Sequence, residues 1–98
     1  MYKPNPIDTS DIKLDETLLE LTEKIAENVH ETWSLGRLAD GWKYGPERDD
    51  QNRETPCLVP YSELSEEEKD FDRTTAMETL KLIVKLGYKI EKKEAVLS

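Results

Sequence analysis

The sequence predicts a mainly α fold: two antiparallel helices joined by a long ordered loop, with short flanking β-strands. Three observations carry that prediction. Leu18, Leu21, Ile25 and Val29 recur at helical spacing. Ser65 stands three residues before Glu68, the capping-box signature of a second helix start. Between them, Gly45, Pro46, Pro56 and Pro60 preclude any long regular element.

Residues 1–98 form one domain, with an expected radius of gyration of about 13 Å. Residues 1–14 read as an extended arm, because two of the five prolines fall there and bias the preceding residues toward extended geometry. The first helix is placed at 15–40. Asp15 and Glu16 suit its positive N-terminal end, and Gly41 its stop. Residues 41–64 form the loop, with short strands expected at Trp42–Tyr44 and Leu58–Val59. A loop this long in a small domain is either functional or well tied down. The second helix is placed at 65–87. Its first turns are acidic (Glu66, Glu67, Glu68, Asp70, Asp72), its last are basic (Lys81, Lys85), and Gly87 ends it. In the tail, 88–98, Tyr88–Ile90 is a further candidate strand and 92–98 a mobile end.

The second helix is apolar on two sides. Ala76, Met77, Leu80, Ile83 and Val84 form one stripe, and Phe71, Leu82 and Leu86 fall on the other. Two apolar sides require cover on both. The first helix covers one; the other falls to the folded-back arm or to a second subunit.

Composition narrows the function classes. Fourteen basic residues against 22 acidic ones give a net charge of −8, which argues against nucleic acid as a partner. Cys57 is the single cysteine, so no intrachain disulfide forms, which suits a reducing, cytoplasmic compartment. The segment MYKPNPIDTSD lacks the basic and apolar regions of a signal peptide. No apolar run approaches the roughly 18 residues of a membrane span. One histidine and one cysteine do not make the usual zinc site, and no phosphate-binding glycine motif is present. Neither an enzyme nor a cofactor is expected. Cys57, inside an apolar run, reads as a buried structural thiol.

The stretch Asn28–Asp50 carries both tryptophans, the only histidine and two arginines. On a helix, Ala26, His30, Trp33 and Arg37 fall within a sector of roughly 60°. They flank the apolar stripe, and the loop adds Trp42, Tyr44 and Arg48. Rings to stack on and guanidinium groups to fork onto an anion suit a small planar anionic ligand, such as a nucleotide. The plainer alternative packs the tryptophans in the core and pairs the arginines with neighbouring carboxylates. On that reading the chain is a protein-interaction or assembly domain whose loop is purely structural.

The ordered pattern AENVHETWSLGRLADGWKYGPERDD (Ala26–Asp50), then PCLVPYSELSEEEK (Pro56–Lys69), resembles the RyR domain. That domain is a repeat of the cytoplasmic part of ryanodine-receptor calcium-release channels, also found as single copies in bacterial and phage proteins. The arm and the second helix extend the resemblance to roughly Tyr2–Ile90. Asp15 and Thr55 depart from residues common in the family, proline and histidine respectively. The resemblance implies an α-rich fold without catalysis. Paired repeats in the channels are associated with adenine nucleotides around a tryptophan that corresponds to Trp33, and bacterial copies have been proposed as sensors. It thereby points to a nucleotide-like ligand at His30, Trp33 and Arg37. A single copy lacks a tandem mate, so a homodimer through the second helix is the implied partner arrangement.

Overall fold

The computed structural model describes residues 1–93. Its first helix, α1, spans Glu16–Ala39. The Asp15 side chain accepts the Leu18 N–H at 2.9 Å, satisfying one of the donors left open at a helix start. At the other end the Gly41 N–H donates to the Leu38 carbonyl at 3.1 Å, and the Trp42 N–H to the Arg37 carbonyl at 2.9 Å. This is a Schellman stop, which requires the left-handed backbone that Gly41 adopts at φ 83°.

The second helix, α2, spans Glu66–Lys85. Ser65 Oγ accepts the Glu68 N–H at 3.1 Å and donates to Glu68 Oε1 at 3.0 Å. The capping pair therefore closes through the hydroxyl itself. The same Schellman geometry ends α2, with Gly87 donating to Val84 and Tyr88 to Ile83. Tyr88–Ile90 consequently forms no strand, because the Tyr88 N–H is spent on the helix stop.

The buried row of α1 is Leu18, Thr22, Ala26 and His30. This corrects the expected stripe: Leu21 is exposed, and Ile25 and Val29 are half-buried. The row contains two small residues, which let another backbone approach closely. Ala26 is fully covered by the cluster it forms with Tyr61 and Leu64, against which Cys57 and Val59 pack. The Thr22 hydroxyl donates back to the Leu19 carbonyl, so its burial orphans no polar atom. From α2 the buried residues are Ala76 and Leu80, with Met77, Ile83 and Val84 half-buried beside them.

Between the helices lie two short strands, β1 (Lys43–Tyr44) and β2 (Glu54–Thr55), which pair in parallel. β1 falls within the expected Trp42–Tyr44 strand. Leu58–Val59 is not a strand, and a single 3₁₀ turn follows at Tyr61–Glu63. Gly45 passes so close to β2 that a Cβ there would lie 2.7 Å from that of Glu54.

The arm folds back onto α2. Thr9 is buried and donates to Glu78 Oε2 at 2.7 Å, while Lys85 pairs with Asp11 at 2.9 Å. Leu82 is half-buried beside Pro6 and Ile7, so the arm takes part of the second apolar side. Phe71 and Leu86 on that side stay exposed, at 73% and 59%. The radius of gyration is 16.9 Å, above the roughly 13 Å expected for a chain of this length. Of the expected mobile end, residues 94–98 lie outside the described residues.

Candidate functional site

Three side chains of α1 set the site's axis, because steps of three and four residues keep them on one helix edge. His30 is 4% exposed, and its Nε2 lies 2.7 Å from the Val59 carbonyl. A carbonyl only accepts, so that nitrogen carries the proton and donates. The imidazole thus ties the loop to α1 and belongs to the core row. It stacks against Trp33 at 5.7 Å between centroids and 23° between planes.

Arg37 continues the ladder. Its Cζ lies 5.5 Å from the Trp33 ring centre and 4.8 Å from that of Trp42. The Schellman stop explains this closeness. It folds the second residue after the cap, Trp42, back over the third residue before it, Arg37. Arg48 approaches Trp42 at 5.9 Å, and its Nε donates to Asp50 at 2.7 Å. The side chains therefore alternate as His30, Trp33, Arg37, Trp42, Arg48.

Arg37 and Arg48 differ in what they have left to offer. Arg48 is held by Asp50. The Arg37 guanidinium makes no hydrogen bond or ion pair among the described residues, in a chain with 22 acidic side chains. A guanidinium stacked on rings keeps its five N–H donors available for a planar acceptor.

The structure corrects the expected site in two respects. The guanidinium of Arg37 occupies the space between the indoles, so no slot for a planar ligand exists there. Tyr44 leaves the ladder altogether. It is 58% exposed and lines a separate groove with Leu38, Val59 and Pro60.

The open space beside Trp33 lies on its other side. A hollow of about 270 Å³ is lined by His30 and Trp33 from α1, by Glu68, Phe71 and Asp72 from α2, and by Cys57 and Leu64 from the segment between them. The start of α2 thus walls the hollow, where the Trp42–Arg48 loop was expected to roof it. Cys57 is half-buried, more accessible than its apolar run suggested. Its thiol donates to Glu68 Oε2 at 2.8 Å. Burial, then the neighbouring carboxylate, pushes its pKa up, which favours the thiol over the thiolate. Burial also raises the Asp72 carboxyl, with the His30 ring opposing the shift. Thr55, the departure noted in the loop, is buried and accepts the Cys57 N–H at 3.2 Å.

Sequence reasoning missed Phe71, Asp72 and Glu68 as site residues. The signal was an aromatic residue set among acids in the first turns of α2, which read as an ordinary charged start. Among the described residues, no cluster of three histidine, cysteine, aspartate or glutamate side chains could hold a metal. A further hollow, about 240 Å³, lies between the start of α1 and Ile90–Lys92. Its rim mixes Glu20 and Lys24, and it contains no aromatic ring. Among the described residues no helix is long and apolar enough to cross a membrane. A family model described as the RyR domain matches residues 2–92.

Proposed function

Because this chain belongs to the RyR-domain family, we propose that it is a non-enzymatic ligand-binding or sensor module for a small, planar, nucleotide-like anion. The observation that carries this reading is Arg37. Its guanidinium lies against Trp33 and Trp42 and is engaged by no carboxylate among the described residues. Such a preoriented fork meets a phosphate or carboxylate in two parallel hydrogen bonds. The ligand's ring then stacks against the Trp33 indole beside that fork. Contacts between the end of α1 and the start of α2 around that hollow support an antiparallel helix pair. The unpaired thiol of Cys57 supports a cytoplasmic setting.

The test is a titration with ATP, cyclic dinucleotides and NAD followed by tryptophan fluorescence. Saturable quenching in the wild type that disappears in Arg37→Gln is the expected result. A flat response across the panel, or binding unchanged by that substitution, overturns the reading.

An assembly role is the second reading, favoured by exposed apolar side chains. Leu35 and Leu38 are 71% and 57% exposed at the end of α1, Leu38 in one groove with Tyr44, and Leu86 stands open at the end of α2. We propose a homodimer through α2 around Leu86, which the arm leaves bare on its second apolar side.

A further inference from the structure

We propose that the hollow between α1 and the start of α2 is a cage for an organic cation: an ammonium or guanidinium head seated between the Trp33 and Phe71 rings and paired with the Asp72 carboxylate. This goes beyond the anion reading and does not rest on Arg37.

Three observations carry it. The first is the pair of aromatic walls. Trp33 and Phe71 line the same hollow, and Phe71 is 73% exposed, an unusual position for a phenyl ring with no packing partner to hide it. Ring faces are the negative part of an aromatic quadrupole and attract a desolvated cation.

The second is the state of the carboxylates. Three other acids in the first turns of α2 are engaged: Glu66 and Asp70 both hold Arg73, at 2.8 and 2.9 Å, while Glu67 is exposed to solvent. Glu68 accepts from the Cys57 thiol on one oxygen and from Ser65 on the other. Asp72 is half-buried in the hollow wall, yet makes no hydrogen bond or ion pair among the described residues. A carboxylate partly removed from water without a partner is unfavourable, and a cation in the hollow offsets that cost. Burial raises the Asp72 pKa, with the His30 ring opposing.

The third is selectivity by charge. Glu68 and Asp72 face the hollow in a chain of net charge −8, so an anionic group is repelled there. At about 270 Å³ the space is slightly smaller than typical small-molecule sites, which start near roughly 300 Å³. It suits a head group more than a whole large ligand. The head can belong to a free amine or to a lysine side chain of a peptide; the recognition chemistry is the same.

The experiment titrates the full chain with tetramethylammonium, n-butylammonium and a short lysine peptide, with sodium chloride at matched ionic strength as the control. Tryptophan fluorescence and the indole N–H resonance of Trp33 are followed. Saturable, ammonium-specific shifts are expected, weakened about tenfold in Asp72→Asn, the scale of losing one charged hydrogen-bond partner. Phe71→Ala, at an exposed position that the fold does not need, gives a second weakened variant. Arg37→Gln leaves the response intact, which separates this cage from the anion reading. Equal response to the free amine and the peptide assigns a small-molecule cation; a stronger response to the peptide assigns a side chain. Absence of saturable shifts, or shifts unchanged in both Asp72→Asn and Phe71→Ala, overturns the proposal.

Discussion

The guanidinium of Arg37 lies 4.8 Å from the ring centre of Trp42, carried there by the backbone stop that joins the Trp42 N–H to the Arg37 carbonyl. Backbone and side chain thus reinforce one contact. A double-mutant cycle of Arg37→Ala and Trp42→Ala should return a coupling of about 0.5–1 kcal/mol, as for a solvent-accessible cation–π pair. Urea denaturation measures it. A coupling near zero would mean that the stop alone sets the geometry and the ring pair adds nothing.

His30 should prove structural rather than ligand-directed. Its ring is 4% exposed and ties α1 to the Val59 carbonyl at 2.7 Å. Replacing it by alanine leaves that carbonyl unpaired in a covered site, a loss of about 1–3 kcal/mol. The melting temperature should fall, and any ligand response should fall only in step with the folded fraction. A variant that keeps the wild-type melt but loses ligand would assign the imidazole to binding instead.

Much of this fold is legible in the chain, and the reason is local chemistry. Asp15, Gly41, Ser65 and Gly87 announce the helix ends because each satisfies backbone groups within a few residues of itself. Helical spacing likewise groups His30, Trp33 and Arg37 on one edge. The core seam is not local. Hydropathy favours Leu21, Ile25 and Val29, whereas the row that meets the loop and α2 runs through Thr22 and Ala26. Close approach selects small side chains there, and no count of apolar residues reveals it. Tyr44 escapes for a similar reason. Its direction depends on a parallel pairing with residues 54–55, a register that no residue near Tyr44 specifies.

The seam makes its own prediction. Ala26 is completely covered, so Ala26→Leu forces extra volume against Tyr61 and Leu64 and should cost about 1–3 kcal/mol. Leu21→Ala, at a position already 37% exposed, should cost clearly less. Thermal melts of the two variants compare directly. The opposite ranking would return the seam to the leucine row.

The dimer proposal rests on Leu86. Sedimentation equilibrium of the wild type should show self-association, and Leu86→Glu should give a soluble monomer with an unchanged circular dichroism spectrum. Leu82→Glu is a poorer test, because Leu82 also sits beneath the arm beside Ile7. A wild type that sediments as a monomer at all concentrations removes the homodimer.

Acid should destabilise this protein partly through one arginine. Arg73 donates to Glu23 at 2.7 and 3.1 Å, and to Glu66 and Asp70 as well, fastening α2 to α1. Hydrogen bonds from Arg73 are the leading cause that holds the Glu23 and Glu66 carboxyls below their ordinary value of 4.5. A lowered folded pKa means that the unfolded chain takes up protons first. The stabilisation is therefore complete well above pH 4.5 and is lost as pH falls through the depressed folded values. These groups are largely solvated, so the effect is modest and screened by salt. Urea midpoints of wild type and Arg73→Ala should differ at pH 7 and converge toward pH 3, with the gap at pH 7 narrowing in 1 M salt. Parallel curves at every pH would show that Arg73 acts through packing of its stem and that its charge contributes nothing.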